Sequence, residues 1–249
     1  MELGRHGVLV TRLAAVEDAA NMDVLCADKT GTLTQNRLSL AGVLALPGCT
    51  ENDVLLAAAL ASNAANQDPI DLGLLRAAAE RGLADDGTRT LRFTPFSPET
   101  RRTEALVDTG GRRLRVAKGA LHTIAELAGL APDAVAELDA RATEQARLGA
   151  RVLAVARGAA DGPLQLVGLV FLRDPPRPDS RQLLDRLRSL GVEVKMLTGD
   201  ALPVAGEIAR TLGLGSIARA ADLRAAQNAD AAQARALVSR SDGFAEMFT

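Results

Sequence analysis

Apolar and polar positions fall along the chain in blocks that predict two kinds of unit. Met22–Ala27, apolar apart from Asp23, is a short run that ends abruptly at Asp28-Lys29-Thr30-Gly31-Thr32. This pattern predicts a buried strand followed by a polar, glycine-containing loop. A second such pair comes late, with Val192–Leu197 followed by Thr198-Gly199-Asp200. Before it, Leu183, Leu184, Leu187 and Leu190 recur at helical spacing within Asp179–Leu190, and Gly191 stands where a helix end favours glycine. After it, Ala201–Leu212 reads as an amphipathic helix ended by Gly213. Strand–loop–helix units predict a parallel α/β sheet, in which ligands bind beyond the carboxyl ends of the strands. Asp28 and Thr198 each lie just past such an end, yet they stand 170 residues apart. One crossover needs far less chain, so a domain-sized insert is expected between them.

The insert has its own pattern. Asn52–Ser62 and Asp71–Arg81 read as helices, the second stopped by Gly82. Arg89–Phe93 and Thr103–Val107 alternate, and Asp108-Thr109-Gly110-Gly111 turns the chain into Arg112–Ala117, a hairpin. Pro132–Leu148 is a helix, and Arg151–Ala156 and Leu164–Leu172 are apolar strands. Boundaries near 43 and 165 divide the chain into residues 1–42, 43–165 and 166–249. Ala218–Ala236 is alanine-rich and reads as helix.

Composition narrows the function. Net charge is −2 with a pI near 5.8, and aromatics are 2% of 249 residues, which argues against nucleic acid as a partner. No apolar run reaches the roughly 18–20 residues that span a bilayer, and Met1–Arg12 lacks the apolar core of a signal peptide. Direct membrane insertion by this chain is not expected, and a soluble, cytosolic polypeptide is. Cys26 and Cys49 read as free thiols packed in cores, and His6 and His122 form no ligand cluster.

The chemistry centres on Asp28. A carboxylate at a strand end, followed by small and hydroxylated residues, can act as a nucleophile whose neighbouring backbone N–H groups cradle a phosphate. An isolated aspartate there could equally cap a helix, as could Thr198-Gly199-Asp200. The whole string Asp28-Lys29-Thr30-Gly31-Thr32-Leu33-Thr34, however, resembles the phosphorylation signature of P-type cation-transporting ATPases, within the haloacid-dehalogenase-like superfamily. The resemblance implies that Asp28 accepts the phosphoryl group of ATP, with Lys29 and Thr30 beside it. Mg2+ would be held by Asp28 and Thr30. Many phosphatases of the superfamily carry a second Asp at the position of Thr30 as general acid/base; without it an aspartyl-phosphate should persist. Thr198, Gly199 and Asp200 match the second motif, which binds the transferring phosphoryl oxygens.

The insert resembles the family's nucleotide-binding domain. Lys118-Gly119-Ala120 matches its KGA motif, which implies that Lys118 lies in the ATP pocket and that Gly119 lets the backbone approach, with Leu121 where proline is common. Phe96, within Phe93–Thr103, matches the aromatic that stacks on adenine; a core role is the competing reading for Phe93 and Phe96 alike. Arg151 matches an arginine that contacts ATP phosphates, and Asp71 a group at the adenine edge. Asp174-Pro175-Pro176-Arg177-Pro178 is a proline-stiffened loop; the resemblance places Arg177 near the nucleotide, the other reading being a hinge only. No GxxxxGK loop is present, so ATP is not held by a Walker-type device. The stretches Gly7–Leu13, Asn21–Leu25, Asn66–Asp71, Asp174–Asp200 and Asp242–Phe248 are most similar to the plasma-membrane proton-pump subclass.

The implied fold is α/β: a haloacid-dehalogenase-like (Rossmann-like) parallel sheet, incomplete, with an inserted α+β nucleotide-binding domain. The resemblance stops at Thr249, before a Lys and a Gly-Asp-Gly motif that serve the phosphate and Mg2+ in the family. The expectation is a catalytic fragment of an ATP-driven pump, on the cytoplasmic side of the plasma membrane in its parent. Its partners there would be transmembrane and actuator domains. Alone it should bind ATP and label Asp28 weakly or not at all; rapid acid-stable, hydroxylamine-sensitive labelling from ATP would refute that. Two alternatives stand beside it, a soluble phosphatase of the same superfamily and a catalytically silent nucleotide-binding module.

Overall fold

The structure, a computed structural model, describes residue 12, residues 14–83 and residues 87–247. Its elements begin with α1 (Ala14–Ala20), β1 (Val24–Asp28), β2 (Ser39–Ala45), α2 (Glu51–Leu60), α3 (Pro69–Glu80), β3 (Thr88–Thr94), β4 (Arg102–Thr109) and β5 (Arg112–Gly119). They continue with α4 (Leu121–Leu127), α5 (Pro132–Arg147), β6 (Arg151–Ala159), β7 (Gln165–Arg173), α6 (Ser180–Ser189) and β8 (Glu193–Leu197). Last come α7 (Leu202–Leu212), β9 (Ile217–Arg219), α8 (Ala220–Ala229), α9 (Ala231–Arg240) and β10 (Gly243–Ala245). The chain forms two compact units, one made of the residues up to Gln35 and from Pro176, the other of Asn36–Pro175.

The first unit is built on a four-stranded parallel sheet in the order β1-β8-β10-β9. Leu25 and Ala27 of β1 join Val194 and Met196 of β8 in its core, against Leu184 and Leu187 of α6 and Ala205, Ala209 and Leu212 of α7. Strand alternation sends the intervening side chains outward. Cys26 is therefore exposed, which corrects the expectation that both cysteines pack in cores; Cys49 does lie against the core of the inserted unit. Leu183 and Leu190 are also exposed, at 51% and 72%, so only the Leu184–Leu187 side of α6 is a core face. The alanine-rich stretch is two helices rather than one. Asp230 takes an extended conformation (φ −164°, ψ 136°) and caps α9 by accepting from the Ala232 N–H at 3.1 Å.

The inserted unit is a six-stranded antiparallel sheet in the order β2-β7-β6-β5-β4-β3. Helices cover both of its faces. Val155 and Val170 pack with Val54, Leu55 and Leu74 of α2 and α3, while Ala154, Ala156, Leu169 and Phe171 pack with residues of α4 and α5. Such two-sided burial explains why β6 and β7 read as continuous apolar runs. The division falls at 35/36 and 175/176, against the sequence-based 43 and 165. The reason is β2: it pairs antiparallel with β7, which carries both strands into the inserted sheet. Of the stretches that favour the proton-pump subclass, most of Gly7–Leu13 and the final Phe248 lie outside the described residues.

One cap in this unit makes a pH prediction. Thr50 and Asp53 form a reciprocal capping box at the start of α2. The Thr50 hydroxyl and backbone N–H, and then Arg157 at 3.0 Å, hold the Asp53 carboxyl at about 2 instead of 3.8. A depressed carboxyl contributes stability that is complete above its ordinary value and lost as pH falls toward the folded value. Melting temperature should therefore fall between pH 4 and pH 2 more steeply in the parent chain than in Asp53→Asn. At neutral pH that variant should lose about 1 kcal/mol of cap stability.

Candidate functional site

In the first unit, β1 and β8 run parallel with Asp28 opposite Leu197. This register sets Asp28 and the next residue of β8's exit, Thr198, at the same carboxyl edge of the sheet. Lys29–Leu33 then form a tight helical turn in which Thr30 departs from helical angles and Gly31 takes φ 76°, a conformation that favours glycine. Thr34 closes the turn: its N–H and its hydroxyl both donate to Lys29 O, at 3.0 and 3.1 Å. The Asp28 side chain is exposed and makes no hydrogen bond or ion pair among the described residues. A carboxylate so placed is available as a nucleophile.

Thr198 is buried and fixed on both sides. Its N–H donates to Phe244 O and its carbonyl accepts from Met247 N–H, each at 3.0 Å. Its hydroxyl accepts from the Asp200 N–H at 3.1 Å, which leaves the O–H free to donate to an anion at the strand end. The Lys29 ammonium lies 2.8 Å from Asp200 Oδ2. This is an ion contact rather than a directed bond, since that oxygen is buried with no hydrogen-bond partner among the described residues. Gly199 is exposed in the same loop. Arg177 is tied to the turn through its backbone, which donates to Leu33 O at 3.0 Å, while its half-exposed side chain faces Asp179 at 3.7 Å. No group of three or more acid, His or Cys side chains among the described residues could cage a metal alone. The hard oxygens of Asp28 and Thr30 fit Mg2+ that arrives with a phosphate, because that ion keeps waters and phosphate oxygens among its ligands.

The inserted unit contains a cleft of about 710 Å³, within the range of sites for small organic ligands. Asp71, Phe96, Lys118, Gly119 and Arg151 all line it. Phe96 is 59% exposed, whereas Phe93 on β3 packs against the core. The two aromatics thus separate, and only Phe96 offers a free face. Gly119 is needed for its backbone approach: a Cβ there would collide with Arg101 O and with Arg102. Arg177 is not among the cleft's lining residues.

Lys118 lies at the floor of the cleft, 2% exposed. Its ammonium donates to Asp71 Oδ1 at 2.7 Å, Ala61 O at 2.7 Å and Thr103 Oγ1 at 2.8 Å. All three of its donors are used. Burial pushes its pKa down, and Asp71, with Asp68 behind it, opposes that shift. The other Asp71 oxygen accepts from Asn63 N–H at 2.9 Å. Motif reading does not reach Thr103, Ala61 or Asp68. The available signal for Thr103 is the hairpin register, which sets it directly opposite Lys118.

The model of the haloacid dehalogenase-like hydrolase family matches residues 11–238. A protein of Methanocaldococcus jannaschii, provisionally named a cation-transporting ATPase, is 35% identical over 254 residues, covering 100% of this chain and 31% of that protein. Two crystal structures of a zinc-transporting PIB-type ATPase are similar at 27% identity. In the E2.Pi state the TM-score is 0.61, over 85% of this chain and 31% of that one. In the E2P state it is 0.62, over 81% and 29%. The chain thus spans less than a third of the length of these relatives.

Proposed function

The chain belongs to the haloacid dehalogenase-like hydrolase family, and from that premise we propose that it is the ATP-binding and phosphoryl-accepting part of a P-type cation-transporting ATPase. The observation that carries the reading is the register that sets Asp28, without a partner among the described residues, and anchored Thr198 at one sheet edge. In this reading ATP lies in the cleft of the inserted unit, with adenine against Phe96 and its phosphates toward Arg151. Asp28 attacks the γ-phosphorus in line, the aspartyl-phosphate forms and ADP leaves. The Thr198 hydroxyl donates to the transferring oxygens, and Lys29 shares its charge between them and Asp200. Asp28 and Thr30 would hold Mg2+, which would supply charge neutralisation at the phosphate.

Thr30 separates this reading from that of a soluble phosphatase. A threonine cannot serve as the general acid/base that activates water against the acyl-phosphate, so the phosphorylated state persists. A transporter needs that persistence in order to couple the phosphate to movement elsewhere. The finer reading of the cation as a proton rests on the stretches of proton-pump similarity alone, and the solved relatives are named for zinc.

Titration calorimetry with ATP and ADP tests the nucleotide half of the proposal. Binding should be saturable with one site. Phe96→Ala should weaken it about tenfold, as expected from removing a base–aromatic contact of ~1–3 kcal/mol. Equal affinity in parent and variant would remove Phe96 from the site.

A further inference from the structure

We propose that the inserted unit carries a second anion site, for a phosphate-class tetrahedral oxyanion, separate from the nucleotide cleft. A small cleft of about 200 Å³ lies between the strand entrance at Arg37, Ser39 and Leu40 and one face of α3. Gly73, Arg76, Ala77 and Glu80 follow helical spacing along that face. Arg76 Nη1 is buried yet has no hydrogen-bond partner among the described residues. A charged donor withdrawn from water normally finds an acceptor, and the described residues supply none to this nitrogen. Arg37 stands on the opposite wall, and neither it nor Arg76 forms an ion pair among the described residues.

Arg81 completes the rim, loosely engaged by Glu51 at 3.5 Å and Asn52 at 3.3 Å. Glu80 is the one acid of the lining; beside it Glu51 engages Arg81, and the Asp174 carboxylate accepts from the Arg37 backbone N–H at 3.0 Å, which leaves the Arg37 and Arg76 side chains without an ion pair among the described residues. Guanidinium forks suit the oxygens of phosphate or sulfate, which each can grip bidentately. The volume holds one such ion with a few waters, each of which takes about 30 Å³. None of these residues lines the nucleotide cleft, so this site stands or falls independently of the ATP reading.

The test is residue-resolved NMR of the isotopically labelled chain during titration with inorganic phosphate at constant ionic strength. Saturable shifts are expected at the amides of residues 37–40 and 73–81. Arg37→Gln, at an exposed position, should raise the apparent Kd at least fivefold while leaving the fold intact. Arg76→Gln should abolish the shifts; if that variant melts early, Arg37→Gln decides. Sulfate should reproduce the shifts. Their absence, equal shifts with chloride, or saturation of Arg37→Gln identical to the parent would overturn the proposal. Phosphate held only near Asp28 would move a different set of amides and would overturn it as well.

Discussion

Asp28→Asn should abolish the phosphorylated intermediate of the whole ATPase proposed to contain this chain, lowering turnover by at least about 10⁴-fold. The magnitude follows from removing a nucleophile that no neighbour can replace. An amide at this position is nearly isosteric, so the sheet register and the Lys29–Leu33 turn should survive, and the Tm of the variant should match the parent. Nucleotide binding should survive too, because the lining residues of the cleft belong to Asn36–Pro175. Loss of labelling with intact ATP binding and intact melting is therefore the expected signature. A variant that still hydrolyses ATP at the parent rate would mean that the reaction does not pass through Asp28.

The second large effect is on stability. Lys118→Met should strand the Asp71 carboxylate, which is 3% exposed and keeps only the Asn63 N–H at 2.9 Å. Breaking one side of a buried ion pair costs about 3–5 kcal/mol, much more than the intact pair contributes. A domain of this size should lose on the order of 10 °C in Tm, and ATP binding should vanish as the cleft floor rearranges. The double variant Lys118→Met/Asp71→Leu should regain a large part of the stability, since no buried charge is left unpaired. It should not regain nucleotide affinity. Lys118 thus serves the site chiefly by building its floor: with three donors committed inside the protein, its ammonium has none left for a phosphate. A single Lys118→Met variant that melts like the parent would contradict this role.

The Asp28 string and Thr198-Gly199-Asp200 were legible because each couples a strand end to a compact polar loop, a local pattern that survives in one dimension. The cleft residues could be grouped only through resemblance, since nothing in the spacing of Asp71, Phe96, Lys118 and Arg151 points to the cleft that they line. Phe93 and Phe96 show the limit: both follow the same local composition, and only the end of β3 at Thr94 decides that one faces the core and the other does not. Cys26 was misjudged because Met22–Ala27 read as a run buried on both sides. Val24 and Cys26 point outward in the structure, but Val24–Ala27 is apolar throughout and shows no alternation that would separate them from Leu25 and Ala27. The spacing of Leu183, Leu184, Leu187 and Leu190 marks the helix but not how wide its core face is: only Leu184 and Leu187 join the core. β2 escaped because Ser39–Ala45 lacks alternation and carries an irregularity between Leu40 and Gly42. Its membership of the inserted sheet is a long-range property, set by β7 more than 120 residues later.

The most direct test of the central claim is acid-quenched labelling of the whole ATPase with γ-labelled ATP and Mg2+, followed by peptide mapping. The label should be acid-stable, released by hydroxylamine as an acyl-phosphate is, and confined to the peptide that contains Asp28. Label on any other residue, label resistant to hydroxylamine, or equal labelling of Asp28→Asn would contradict the assignment of Asp28 as the phosphoryl acceptor.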